Sequence, residues 1–121
     1  MDYTKLNIWI KARALVKGIY TSTNDFPKKN RYNLTDRIRR CAVSIPSNIA
    51  EGYGRRTSKD KIRFFYILRG SLYKLETQLY IALDLNYIEE SKFNALLKEI
   101  MICKKLLGGF INYQKTLKNK S

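Results

Sequence analysis

Apolar residues recur every three or four positions almost throughout the chain, and this spacing limits the fold more than any other feature. The stretches that carry it lie at about 4–23, 34–53, 58–85 and 89–117. The last two are the longest, and a helix of about 28 residues spans about 40 Å. We therefore predict an all-α fold, an antiparallel up-down four-helix bundle that forms one domain over residues 1–121. Residues 117–121 are expected to form a frayed tail.

The residues that repeat at this spacing are the predicted core of the bundle. In the first two helices they are Leu6, Trp9, Val16, Tyr20, Leu34, Ile38, Cys41, Ile45, Asn48 and Gly52. In the last two they are Phe65, Leu68, Leu72, Leu75, Leu79, Ala82, Phe93, Leu96, Ile100, Cys103, Leu107 and Phe110. Pro46 interrupts the second helix, and because proline removes an amide donor we predict a kink near 42–44. Asn33 and Ser58 are the predicted N-caps of the second and third helices.

Polar residues also fall at or beside the inward positions, and they predict a structural polar network. They are Arg13, Asn48, Glu51 and Glu76. Because a buried guanidinium needs a carboxylate partner, we expect Glu51 or Glu76 to pair with Arg13. Paired carboxylates can also perform acid–base catalysis, but no feature of the sequence indicates a cleft around them. We therefore interpret this network as structural.

The second and third helices carry more apolar surface than a lone bundle needs. Val43, Pro46 and Ala50 lie on the second helix roughly opposite its inner stripe, at about 100° per residue. Tyr66, Tyr73 and Tyr80 stand seven residues apart on the third helix, and Tyr87 continues the series just past its end. We assign the three apolar residues and the first three tyrosines to a predicted oligomer interface. For the tyrosines two other roles stay open, a flank of the core with hydroxyls in water and a surface that stacks on unpaired bases.

The charge is strongly positive and unevenly spread. The chain has 24 Lys and Arg against 10 Asp and Glu, a formal net charge of +14. Most of the excess lies in residues 1–74, and it predicts nucleic-acid binding through phosphates. The candidate contacts are Lys28, Lys29, Arg31, Arg37, Arg39, Arg40, Arg55, Arg56, Lys59 and Arg63. The alternative is a solvated face that only keeps the protein soluble. No motif that reads bases in a groove is present, so sequence-specific binding is not expected.

The residues that the chain lacks exclude several functions. There is no histidine, which excludes a Ser-His-Asp triad and His-ligated zinc. The two cysteines, Cys41 and Cys103, lack CxxC spacing, so we expect buried, reduced thiols. No apolar run reaches the ~18 residues of a membrane span, and the opening residues do not resemble a signal peptide. We expect a cytoplasmic protein without enzymatic activity, metal, cofactor or membrane partner.

Three segments together resemble a known family. Residues 34–55, whose centre reads SIPSNIAEG, are similar to the signature of the small four-helix-bundle proteins encoded in intervening sequences of bacterial 23S ribosomal RNA genes. LNIWIKA at 6–12 resembles the opening motif of that family, and GSLYKLETQL at 70–79 resembles its third-helix motif. The resemblance runs from about residue 6 to 87, and beyond that only the helical pattern agrees.

The resemblance implies properties that the periodicity does not. Relatives in the family are homopentameric barrels, and no catalytic activity is attributed to the group. The wider group includes the accessory variability determinant of diversity-generating retroelements, which binds nucleic acid and a reverse transcriptase. The motif positions carried over are Arg39, Arg40, Ser47, Asn48, Glu51, Gly52 and Arg55. Ser47, Asn48 and Glu51 are then expected in a packing or polar network, and the arginines at the surface.

Two functions therefore compete at this point. The first is a non-enzymatic, oligomeric protein, a pentameric ring by the resemblance, that binds structured RNA or RNA–DNA through phosphates. Five chains of +14 would present a formal charge of +70. The alternative is a ring-shaped adaptor that docks a reverse transcriptase.

Overall fold

The chain forms four α-helices in the computed structural model, which describes residues 2–30 and 34–120, and for 30, 119 and 120 only the backbone. The helices are α1 (Asn7–Thr23), α2 (Asp36–Tyr53), α3 (Ser58–Asp84) and α4 (Glu90–Lys120). Short 3₁₀ turns occupy Tyr3–Lys5 and Lys28–Asn30, and no strand occurs in the described ranges. The predicted all-α, four-helix fold is confirmed.

Each helix packs against the next one in the chain, and α4 returns to pack against α1. The connection between α2 and α3 is short, as is the one between α3 and α4, so neighbouring helices run antiparallel. The core between them is built from apolar residues that run from Ile8 and Ile111 at one end of the bundle to Phe26 at the other. This arrangement places the α2–α3 turn at one end of the bundle and the α1–α2 and α3–α4 connections at the other.

The inner face of α1 is not the one predicted. Its buried residues are Ile8, Ala12, Leu15, Ile19 and Thr23. The predicted residues lie beside this face: Leu6, Trp9 and Val16 are only partly buried and Tyr20 is 42% exposed. Both stripes have spacings of three and four residues, so periodicity alone favours neither. The face with Ile8 is buried because it carries the smaller residues, which let α1 approach its neighbours closely.

The inner face of α2 agrees with prediction in part: Leu34 lies before the helix and is half-buried, and Ala42 and Ile49 are buried although they were not predicted. Ile38, Cys41, Ile45 and Gly52 are buried as expected, whereas Asn48 is half-buried beside the buried Ile49. The helix is continuous through Pro46, and the predicted kink stays a prediction. Hydroxyls of the flanking serines donate within the helix, from Ser44 to the Cys41 carbonyl at 2.6 Å and from Ser47 to the Val43 carbonyl at 2.8 Å.

Several helix ends differ from prediction by a few residues. Thr57, not Ser58, caps α3: its backbone is extended and its side chain accepts a hydrogen bond from the Asp60 amide at 3.1 Å. Asn33, the predicted cap of the second helix, lies outside the described residues. Residues 118–120, expected in a frayed tail, continue α4. In the α3–α4 turn Asn86 adopts a left-handed φ of 62°, which asparagine tolerates better than most residues.

Gly52 allows a close approach between α2 and α3. A Cβ atom at this position would lie 2.9 Å from the Phe64 Cβ and 3.1 Å from a Phe65 ring carbon. Both are closer than ordinary van der Waals contact, and Phe65 is fixed because its ring also meets Phe110 edge-on at 4.9 Å. A side chain at Gly52 would therefore force the two helices apart.

We predict that Gly52→Ala lowers the free energy of unfolding by about 1–3 kcal/mol through overpacking, as measured by urea denaturation. Gly70→Ala is the matched control, since Gly70 lies on α3 and a Cβ there would meet no atom within 4 Å. The control should gain up to about 1 kcal/mol from helix propensity. Equal effects of the two substitutions would contradict a steric requirement at Gly52.

Candidate nucleic-acid interface

The predicted phosphate contacts separate into two groups at opposite ends of α2. Lys28, Lys29, Arg37 and Arg40 lie at the α1–α2 end, all exposed, and we call them the loop patch. Arg55, Arg56, Lys59 and Arg63 surround the α2–α3 turn, and we call them the turn patch. Arg37 and Arg55 are 18 residues apart along one helix and its end, which corresponds to about 27 Å at about 1.5 Å per residue. Arg31 lies outside the described residues.

Arg39, another predicted contact, is half-buried and hydrogen-bonded to the end of α1. Its Nε donates to Thr23 Oγ1 at 2.8 Å and its Nη2 to Asn24 Oδ1 at 3.2 Å. The guanidinium also lies over the Tyr20 ring, 4.7 Å from the centroid. These contacts fasten the start of α2 to the end of α1. We assign Arg39 to this connection and not to the loop patch.

The turn patch is organised around an aromatic ring. The Arg55 guanidinium lies 4.3 Å from the Phe64 centroid, and that of Arg63 lies 5.5 Å from the same centroid. Arg55 also pairs with Glu51 at 3.2 Å, and Arg63 lies 3.9 Å from Asp60. Arg56 and Lys59 are exposed, and within the described chain neither has an ion pair. The two uncompensated cations are therefore the most available part of the turn patch.

The tyrosines of α3 line its side that faces α4. Tyr66, Tyr73 and Tyr80 are 42%, 53% and 46% exposed. Tyr80 meets Phe93 edge-on at 4.9 Å, and the Lys104 ammonium lies 3.9 Å from the Tyr73 centroid. The tyrosines thus flank the core while leaving about half of each side chain in contact with solvent.

Tyr66 has the most positive surroundings of the three. The Arg69 and Lys115 cations lie 5.3 and 5.5 Å from its ring centroid. A hydrogen bond with Lys115, together with the charges of Lys115, Arg69 and Lys118, lowers the pKa of Tyr66. Since Tyr66 is one turn beyond Arg63, this aromatic and cationic cluster continues the turn patch along α3.

An apolar groove runs between α1 and α2, and it contains the predicted interface residues of α2. Its volume is about 520 Å³. Its lining comes from both helices and the preceding turn: Tyr3, Trp9, Arg13, Val16, Lys17, Tyr20, Val43, Pro46, Ser47 and Ala50. Val43 is 41% exposed, and Pro46 and Ala50 are half-buried. The exposed apolar side of α2, with Val43 and Pro46, therefore meets Trp9 and Val16 of α1 in one apolar groove.

The predicted pairing of Arg13 is wrong. Arg13 is exposed and lies over Trp9, 5.4 Å from the ring centroid. Glu51 is exposed and pairs with Arg55, whereas Glu76 is half-buried and accepts a hydrogen bond from Lys104 at 2.8 Å. The error follows from the shifted inner face of α1, which turns Arg13 outward.

The other two predicted members of the network are not buried either. Ser47 is exposed and bonds only within its own helix, and Asn48 is half-buried. Sequence reasoning missed Lys104, since the register of α4 against α3 is not visible in the sequence. It also missed Phe64, whose ring contacts both Arg55 and Arg63, because adjacent positions on a helix do not indicate a side-chain contact.

Both thiols are buried and free, as predicted. Burial raises the pKa of Cys41, and burial with the nearby Glu99 charge raises the pKa of Cys103 to about 11. No group of His, Cys, Asp and Glu in the described ranges has an arrangement that could hold a metal ion. None of the described helices is long and apolar enough to cross a membrane.

Comparison with known proteins agrees with these features. Residues 4–109 match the family model described as 23S rRNA-intervening sequence protein. The chain belongs to this family. The match extends well into α4, past residue 87 where the resemblance in the sequence was expected to end. No curated protein matches the chain.

Within the family fold, the SIPSNIAEG segment lies entirely on α2. It includes Gly52 at the close contact with α3, Pro46 and Ala50 in the apolar groove, and Glu51 beside the turn patch. This short segment therefore contributes to helix packing, to the apolar groove and to the charged surface near the α2–α3 turn.

Glu99 of α4 is the one described carboxylate whose pKa is raised. Burial is the main cause, the Lys11 charge opposes it, and the Oε2 atom has no hydrogen-bond partner in the described chain. We predict that Glu99→Gln raises the melting temperature at pH 7, because it removes a charge that folding desolvates. As the pH falls below the raised pKa, Glu99 becomes protonated, so the advantage of the variant should disappear. Melting curves at pH 7 and pH 3.5 test this, and a constant difference at both would contradict it.

Proposed function

We propose that the protein is a non-enzymatic, oligomeric nucleic-acid-binding protein that contacts the phosphates of structured RNA or of an RNA–DNA duplex. The observation that carries the proposal is the turn patch, where Arg56 and Lys59 are exposed without a carboxylate partner in the described chain, and Arg55 and Arg63 lie against the half-buried Phe64 ring. Membership in a family named for an intervening sequence in 23S rRNA supports a role related to nucleic acid.

The chemistry of the turn patch fits phosphate better than an acidic protein surface. Arg56 precedes α3 and Lys59 lies in its first turn, where backbone amides and the helix dipole also favour an anion. Tyr66, with Arg69 and Lys115 against its ring, offers a platform on which an unpaired base can stack. Cations and rings in alternation are typical of surfaces that follow a nucleic-acid backbone without reading its sequence.

We predict that Arg56→Glu with Lys59→Glu weakens binding to RNA hairpins, duplex DNA and RNA–DNA hybrids alike. Because each lost phosphate contact changes the slope of log K against log salt by about 0.9, the slope should fall by about 2. Fluorescence anisotropy at several salt concentrations measures both quantities.

The matched control is Lys98→Glu with Lys105→Glu, which makes the same change in net charge on exposed positions of α4. An equal loss in the control would show that overall charge, not the turn patch, determines binding.

We also propose that copies of the chain associate through the α1–α2 groove. Trp9, Val16 and Val43 place apolar surface there that the single bundle leaves open. Burying apolar surface contributes roughly 25 cal/mol per Å², so a contiguous groove is a stronger driving force than scattered apolar residues.

Light scattering of the wild-type chain at micromolar concentration should therefore give a multiple of 14.2 kDa. Val43→Glu should shift the mass toward that of one chain, because it places a charge in the proposed contact. Met101→Glu is the control, since Met101 is also exposed, at 56%, but lies on α4 away from the groove. A monomeric wild-type protein would overturn the proposed association.

The adaptor function is favoured by a separate observation. Apolar side chains are exposed on the outer faces of α3 and α4 and directly after α3, namely Ile67, Ile81, Ile102 and Leu85. Such a surface suits a protein partner, for which a reverse transcriptase is the proposed candidate. A complex that survives nuclease and high salt would favour this function over phosphate binding.

A further inference from the structure

A cavity lies between α2 and α3, away from the turn patch, and it includes Arg37 and Arg40 of the loop patch. Arg37, Cys41 and Ser44 follow one another at intervals of four and three residues, so they share one face of α2. Ser71, Lys74 and Gln78 do the same on α3. Together with Arg40 these residues line a cavity of about 350 Å³, which is within the size range of small-ligand sites.

The cavity is positively charged and contains no carboxylate in its lining. Arg40 pairs with Asp36, outside the cavity, whereas Arg37 and Lys74 have no ion pair within the described chain. Two exposed cations from different helices therefore face one space without compensation. An anion placed between them would relieve their mutual repulsion.

The floor of the cavity is built from packed groups. The Cys41 thiol donates to the Ser71 carbonyl at 3.3 Å, which joins the two helices at this level. Burial raises the pKa of that thiol and the Lys74 charge opposes the rise. Lys74 lines the same cavity as the thiol. The Ser71 hydroxyl donates to the Ile67 carbonyl at 3.4 Å. This hydrogen bond is long and weak, so the hydroxyl can exchange it for one to an anion.

Gln78 fixes the side of the cavity on which an anion would bind. It is buried, with 8% of its surface exposed, and its Oε1 atom has no hydrogen-bond partner in the described chain. A carbonyl oxygen accepts hydrogen bonds and repels an anion. The anion therefore belongs at the mouth of the cavity, between Arg37, Arg40 and Lys74.

We infer that the α2–α3 cavity holds one phosphate group of the bound nucleic-acid backbone, an inference that rests on the proposed function. Arg37 and Lys74 contact the phosphate from opposite helices, and Ser71 donates a hydrogen bond to it. The guanidinium of Arg37 matches the two-oxygen face of a phosphate, and Lys74 acts as a point charge. The cavity fixes one backbone position while the turn patch attracts the rest of the strand.

The test combines Arg37→Gln with Lys74→Gln, and measures RNA binding by anisotropy from 50 to 200 mM salt. We expect affinity to fall by about tenfold and the salt slope to fall by 1–2, which corresponds to loss of one or two cationic contacts. Lys98→Gln with Lys105→Gln removes the same charge from α4 and should lower the RNA affinity clearly less. Melting curves of both double variants verify that they fold.

The possible outcomes test the cavity proposal and the proposed function separately. If the wild type binds RNA and the two double variants lose affinity equally, the cavity is not a phosphate site, but the proposed function stands. If the wild type binds no RNA at 50 mM salt, the proposed function fails. In that case ³¹P NMR with inorganic pyrophosphate decides whether the cavity is a site for a free anion. If the wild type broadens the pyrophosphate signal and the Arg37–Lys74 double variant does not, the cavity is a site for an anion. If the wild type causes no broadening, the anion site itself is overturned.

Discussion

Burial of one apolar stripe from each helix holds together a chain whose own charges repel. Lys and Arg outnumber Asp and Glu by 24 to 10, so carboxylates cannot pair with most of the cations. Aromatic rings take their place: Arg13, Arg39, Arg55, Lys61, Arg63, Arg69, Lys104 and Lys115 all lie over a ring. Each such contact contributes about 0.5–1 kcal/mol at an exposed site and leaves the net charge unchanged. The cations thus have favourable contacts although the protein remains strongly basic.

The sequence predicts the four helices because their apolar spacing spans many turns, and errors at their ends are only a few residues. It does not predict which of two apolar stripes on α1 faces inward. That choice depends on how closely α1 approaches its neighbours, and Gly18, where a Cβ would lie 3.2 Å from Leu96, shows how close this is. The misplaced Arg13 follows directly from the wrong stripe.

In the candidate interface, too, the sequence predicts local features but not those that depend on helix packing. Cations near one another in the sequence, such as Arg55 and Arg56, are found together in the structure because a short turn carries them. Contacts between helices, such as Lys104 with Glu76, depend on the register of α4 against α3. The cavity between α2 and α3 was not foreseen for that reason, since Arg37 and Lys74 are 37 residues apart and only helix packing brings them to one space.

The geometry of α2 gives the proposed phosphate binding and the proposed association separate faces of one helix. At about 100° per residue, the buried face of α2 is centred near Ile45. The apolar groove residues Val43 and Pro46 lie on average about 120° to one side of that face. The cavity residues Arg37 and Ser44 lie about 100° to the other. A second copy seated on the α1–α2 groove would therefore leave the α2–α3 cavity open to a nucleic-acid strand. A substitution on α2 is thus expected to affect stability, association or charge according to the face on which it lies.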